Sequence, residues 1–135
     1  MKFLTEDWLA EFKPILLDAF SPEKTPTKLT LSLCEQYTAV PQCGGQDVWI
    51  MYVFENGVLT SITNGIGSDT APAADYTSFS DYETTKKILL GELGIPRALM
   101  SGKVKFKGNV TKALKMLEPY AIVQDTKQLG GKTEW

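Results

Sequence analysis

The chemistry open to this chain is bounded first by a residue it lacks, since none of its 135 residues is histidine. Neutral imidazole is the usual general base at neutral pH and the commonest zinc ligand, so Ser-His-Asp, Cys-His and HExxH arrangements are excluded. The two thiols, Cys34 and Cys43, have eight residues between them, a spacing that fits neither a CxxC redox pair nor a zinc half-site. Without histidine, either thiol would need a lysine or a helix N-terminus to become a nucleophile, and two small reduced residues are the plainer reading. The carboxylates are scattered, and the close pair Glu6 and Asp7 is explained by the positive end of a helix dipole. Gly65 and Gly67 form a GxG, but Pro72 follows and no helix pattern opens there, so the phosphate-cradling geometry is missing. No enzyme, no metal and no cofactor is the expectation.

What remains is binding. A net charge of −2 makes no case for nucleic acid, yet the charge is unevenly placed. Residues 1–100 hold 7 Lys+Arg against 13 Asp+Glu, whereas residues 101–135 hold 7 against 3. Lys103, Lys105, Lys107, Lys112 and Lys115 follow one another with no acid between Ser101 and Leu117. Such a run either keeps a strand face and a helix face soluble or makes weak contact with an anionic membrane, where a lysine contributes up to about 1 kcal/mol. The second resource is apolar: Phe79, Ile88, Leu89, Leu90, Leu99, Met100, Phe106, Leu114, Met116 and Leu117 gather where two helices and the last strand meet. Composition does not distinguish a filled core there from one that opens around a ligand.

The elements that must position these residues are legible in the periodicity. From Thr5, Trp8, Leu9, Phe12, Ile15, Leu16 and Phe20 recur at helical spacing, and Pro14 predicts a kink or a restart. Leu29, Leu31 and Leu33 alternate with polar residues in a strand over residues 28–35, and residues 48–54, VWIMYVF, read as a strand apolar on both faces. Asn56-Gly57 predicts a tight hairpin into a strand at 58–63, and residues 74–80 give a fourth strand. Ser80 with Glu83 reads as a capping box opening a helix that stops at Gly91. Pro96 opens a short turn of helix to Met100. In residues 103–107 the lysines point one way and Val104 and Phe106 the other. Asn109, also the start of a sequon, caps a helix to Leu117, and a short helix follows near Tyr120 to Lys127. The order predicts an α+β fold, helices on one face of a mixed, mainly antiparallel sheet, with the last strand parallel to an earlier one.

At Ser101-Gly102-Lys103-Val104-Lys105-Phe106-Lys107-Gly108-Asn109, followed by Ala113-Leu114-Lys115-Met116, the chain resembles the sterol carrier protein type 2 family of lipid carriers. The resemblance is most specific over residues 75–117, where Ala74-Asp75 leads a strand and Ser80-Asp81 opens a helix. Upstream, Asn56-Gly57 sits where the family's early hairpin turns. The Pro14 helix, the segment 39–46 and Thr77-Ser78 depart from the family pattern and bear on ligand size and pocket shape. The resemblance implies a five-stranded sheet with helices over one face and an apolar tunnel for a fatty acid, acyl-CoA, phospholipid or sterol, in a domain that binds and carries without chemistry.

Residues 1–135 are thus expected to form one lipid-binding domain. Its lining is expected from Trp49, Met51, Phe79, Ile88, Leu89, Leu99, Met100, Phe106, Leu114 and Leu117, between the sheet and helices at 81–90, 96–100 and 109–117. The alternative is an accessory or dimerising interaction module of the same fold, and an oligomer is compatible with either. Glu6, Asp7 and Glu11 interrupt the first apolar stretch, and the chain ends Thr133-Glu134-Trp135 rather than in a Ser-Lys-Leu-type tripeptide, so a cytoplasmic location is expected.

Overall fold

The computed structural model describes residues 1–24, 28–108 and 117–135. Helix α1 spans Glu6–Ala19, and five strands follow as β1 (Leu31–Val40), β2 (Gln46–Glu55), β3 (Val58–Ile66), β4 (Tyr76–Asp81) and β5 (Val104–Lys107). Between the last two strands lie α2 (Tyr82–Leu89) and α3 (Ile95–Met100), and α4 is Leu117–Thr126. The strands form one mixed sheet in the order β3-β2-β1-β4-β5.

The register decides which residues face the helices. Leu31, Leu33, Glu35 and Tyr37 of β1 stand opposite Phe54, Tyr52, Ile50 and Val48 of β2. Because side chains alternate across a strand, these eight share one face. Phe3, Trp8, Phe12, Leu16 and Phe20 pack onto it from α1 and its flanks, with Val123 and Leu129 from the C-terminal region. Trp8 stacks on Phe12 at 4.5 Å, and Phe3 meets Trp8 and Tyr37 edge-on. The two ends of the described chain join beside this core, where Phe3 N–H donates to the Glu134 carbonyl and Glu134 N–H to that of Met1.

Helix α1 is continuous through Pro14, where a kink or restart was expected. Pro14 and Ala10, whose carbonyl loses its partner, both lie on the exposed side, so the freed carbonyl faces solvent and is not buried unpaired. Asn56 and Gly57 take φ of 51° and 80°, the two left-handed positions of a tight hairpin turn. The cap of α2 is Asp81 rather than Ser80: Asp81 Oδ1 accepts from Thr84 N–H at 2.7 Å, and Ser80 Oγ bonds Thr85 Oγ1 instead.

The parallel pair is β1–β4, and β5 runs antiparallel to β4, the reverse of the expected placement of the last strand. The reason is the irregular segment 67–75. It carries the chain from the β3 edge back across β2 and β1, pinned by Trp49 Nε1–H donating to Thr70 Oγ1 and by Asp75 bonded to Ser32. A long return of this kind delivers a parallel strand without a helix. The expected helix at 109–117, with Leu114, Lys112 and Lys115, lies outside the described residues, and Leu117 enters only as the first residue of α4.

Candidate functional site

On the helix side, a row of register partners runs across the sheet through Ile50, Glu35, Ser78 and Phe106. The next row is Val48, Tyr37, Ser80 and Val104. Large side chains fill the β1 and β2 positions of both rows, whereas β4 has Ser78 and Ser80 there, with the buried Tyr76 one row away opposite Leu33, and beyond the serines Val104 is half-buried and Phe106 is 37% exposed. Phe106 stacks on Tyr76 with centroids 5.7 Å apart. Helix α2 carries Ile88 and Leu89, both half-buried, and Leu89 packs on the margin of the core. The Gln128 side-chain amide donates to the Leu89 carbonyl, tying the end of α2 to the C-terminal region. The sheet therefore loses bulk between a packed centre and a partly open apolar edge.

The inner end of this region is polar and charged, which the sequence reading missed. Glu35 is 2% exposed and Lys127 1%, with Lys127 Nζ 2.6 Å from Glu35 Oε2. Tyr52 donates to Glu35 Oε1 at 2.5 Å and Tyr120 to Oε2 at 3.0 Å. Lys127 also donates to Tyr37 Oη at 2.9 Å and Gln124 Oε1 at 2.7 Å. Burial alone would raise the Glu35 carboxyl, but the Lys127 ammonium and the tyrosine hydroxyls outweigh it and hold Glu35 below the ordinary carboxylate range. Burial lowers Lys127, with Glu35 as the opposing charge, and pushes the hydroxyls of Tyr37, Tyr52 and Tyr120 well up. The cluster is an assembled ion pair ringed by neutral phenols, and none of its buried side-chain polar atoms lacks a hydrogen-bond partner. Its signal in the sequence is the phase of β1: Glu35 falls on the same alternation as Leu29, Leu31, Leu33 and Tyr37, where an acid must find a partner.

The register places Trp49, Met51 and Phe79 on the other face of the sheet. Trp49 and Met51 stand opposite Gln36 and Cys34, and Phe79 beside Gln36. Reading VWIMYVF as uniformly apolar assigned Trp49 and Met51 to the helix side, and grouping Phe79 with the apolar residues near the last strand assigned it there; the second apolar face is instead covered in part by segment 67–75. Leu99 is 44% and Met100 90% exposed, so Met100 projects away from the core. Of the ten expected lining residues, the register puts Phe106 on the helix side of the sheet, Leu89 packs on the margin of the core and Ile88 is half-buried on α2, while Leu114 and the side chain of Leu117 lie outside the described residues.

Neither thiol is activated. Cys34 is fully buried, and burial followed by the charge of Glu35 pushes its pKa up to about 11. Burial raises Cys43 as well. Among the described residues no group of three or more Cys, Asp or Glu is placed to hold a metal ion, and no helix is long and apolar enough to cross a membrane.

No protein-family model and no curated protein sequence matches the chain. Solved structures do. A crystal structure of sterol carrier protein 2 superposes with a TM-score of 0.70 at 21% identity, covering 92% of this chain and 95% of the other. The chain has the sterol carrier protein 2 fold. The NMR structure of palmitated SCP2L2 from Aedes aegypti matches with a TM-score of 0.56 at 17% identity over 85% of this chain and 93% of that one. A structure of the sec-alkyl sulfatase PisA1 matches at 0.52 and 25% identity over 85% of this chain but only 16% of that enzyme. The sterol carrier protein 2 fold thus occurs among these structures both as nearly a whole chain and as a small part of a larger one.

Proposed function

We propose that residues 1–135 act as one non-catalytic lipid-binding unit, holding an elongated apolar ligand such as a fatty acid, acyl-CoA or sterol on the helix side of β4 and β5. The observation that carries this reading is the loss of side-chain volume at Ser78 and Ser80, between the packed row ending at Glu35 and the half-open Val104 and Phe106. The lining proposed is Ile88, Leu89, Val104 and Phe106, with Leu114 and Leu117 as members assigned from sequence. Similarity to a palmitated protein of the same fold supports it. Trp49, Met51 and Phe79, on the other face, are not part of the proposed lining. With both thiols unbridged, a cytoplasmic setting suits the protein.

The affinity expected is modest. Burying ten methylenes yields about 8 kcal/mol gross, from which several kcal/mol of association and chain-ordering entropy are lost, leaving a dissociation constant near the micromolar range. Extraction and mass spectrometry of the purified protein, with displacement of a fluorescent fatty acid in solution, test the reading. Ser78→Phe fills the gap and should weaken displacement roughly tenfold without lowering the melting temperature. A wild-type protein that carries no lipid and displaces no acyl probe overturns the proposal.

The match to a small part of a sulfatase favours a second reading, an accessory or dimerising module. Sedimentation separates the two, because a tight dimer indifferent to lipid supports the module.

A further inference from the structure

The corner formed by the end of α3 and strand β5 combines exposed apolar and basic side chains. Ala98 is buried and anchors α3, while Leu99 and Met100 beside it are 44% and 90% exposed. Gly102 takes φ of 74°, and Lys103 N–H donates to the Ala98 carbonyl at 3.0 Å, so the chain folds back against the helix end and brings Lys103 next to Met100. From there β5 runs as the edge strand of the sheet, with Lys105 and Lys107 exposed. Between Leu93 and Gly108 the sequence carries Arg97, Lys103, Lys105 and Lys107 and no acid. None of these four cations makes an ion pair among the described residues. The acids flanking the neighbouring strand are engaged elsewhere: Asp75 accepts from Ser32, and Asp81 caps α2.

We propose that this corner is a docking surface for an anionic lipid bilayer. Met100 and Leu99 enter the headgroup layer, and Lys103, Lys105 and Lys107 meet the negative lipid surface. The chemistry favours a bilayer over an acidic protein. A flexible, unbranched apolar side chain projecting almost free of its own fold is suited to a fluid apolar phase. Lysines, as point charges on mobile stems, suit diffuse negative charge better than the shaped, bidentate acceptors of a protein partner. The proposal deepens the lipid-carrier reading and rests on it for its purpose, since it gives the carrier a place to meet the membrane that supplies its ligand.

Flotation of the full chain with phosphatidylcholine vesicles, with and without phosphatidylserine, tests this. Binding should require phosphatidylserine and fall as salt rises. Each lysine should contribute up to about fivefold in partition, so Lys103→Glu, Lys105→Glu and Lys107→Glu together should abolish flotation. Met100→Asp should weaken it, whereas Ile66→Asp, at a 52% exposed residue of strand β3 on the far edge, should not. These side chains are exposed, and unchanged melting curves identify variants that remain folded. Wild-type protein that ignores phosphatidylserine, binding that is indifferent to salt, or equal losses from Met100→Asp and Ile66→Asp overturns the proposal. So does capture on soluble polyglutamate without vesicle binding, which marks an acidic partner instead. Acyl-probe displacement in solution reads the carrier function separately, because the charge-reversed variant should displace probe like the wild type.

Discussion

Glu35 and Lys127 sit where apolar side chains would be expected, on the packed face of the sheet. Their attraction and five hydrogen bonds to Tyr37, Tyr52, Tyr120, Gln124 and each other offset the loss of hydration. Removing one partner leaves a bare buried charge, which costs about 3–5 kcal/mol. Lys127→Met should therefore destabilise the protein strongly in urea denaturation, and Glu35→Leu with Lys127→Met should recover much of the loss. If the double substitution is as damaging as the single one, the pair is held by packing and not by charge. The carboxyl of Glu35 lies below its ordinary value, so the stability it supplies is complete above the unfolded Glu value of about 4.3. That stability is lost as pH falls through the lower folded value. Glu35→Gln should flatten this acid limb of the stability curve relative to the wild type.

Among the elements, strand order and direction owe most to segment 67–75, and one close approach holds it. A Cβ at Gly65 would stand 2.5 Å from Trp49 Cζ2, because the indole of Trp49 lies over its register partner. That indole in turn donates to Thr70 at 3.0 Å. Gly65→Ala should displace the ring, break the Trp49–Thr70 bond and lower the melting temperature, while Gly65→Ala with Trp49→Leu should be less damaging than the two losses added. Strict additivity in that cycle would mean the ring yields freely. The helices and strands themselves were largely legible, since Trp8, Phe12 and Leu16 keep helical spacing and Asn56-Gly57 needs two left-handed positions. The crossing was not, because nothing in the polar and proline-containing residues 67–75 states which face they traverse. Hence the parallel pair was assigned to β5, and Trp49, Met51 and Phe79 to the helix side. Alternation assigns residues to opposite faces of a strand, but two apolar faces look alike in sequence. The pairing of Glu35 with Lys127 spans 92 residues, a distance at which local pattern carries no information about partners.

For the molecule as a whole, the proposed function ties ligand to stability. The core is well filled beneath α1, where Trp8, Phe12, Leu16 and Ile50 are all fully buried, and thins toward β4 and β5. Apolar volume left empty there weakens the fold by about 24 cal/mol per Å³, so a void of ~200 Å³ would cost about 5 kcal/mol, comparable with the whole stability of many domains. A ligand that binds only the folded state restores stability by mass action, about 2.7 kcal/mol at one hundred times its dissociation constant. For a chain of this length that corresponds to a rise of roughly 10 °C in melting temperature. Delipidated protein should therefore melt earlier than protein as purified, and adding a long-chain fatty acid should return the difference in a concentration-dependent way. Ser78→Phe should raise the melting temperature of the delipidated protein and blunt its response to fatty acid, because the aromatic ring occupies the volume the ligand would take. Identical melting curves for delipidated, fatty-acid-loaded and Ser78→Phe protein would mean that the side chains around β4 and β5 already fill the space among themselves, and that this fold serves here as a module for protein contact.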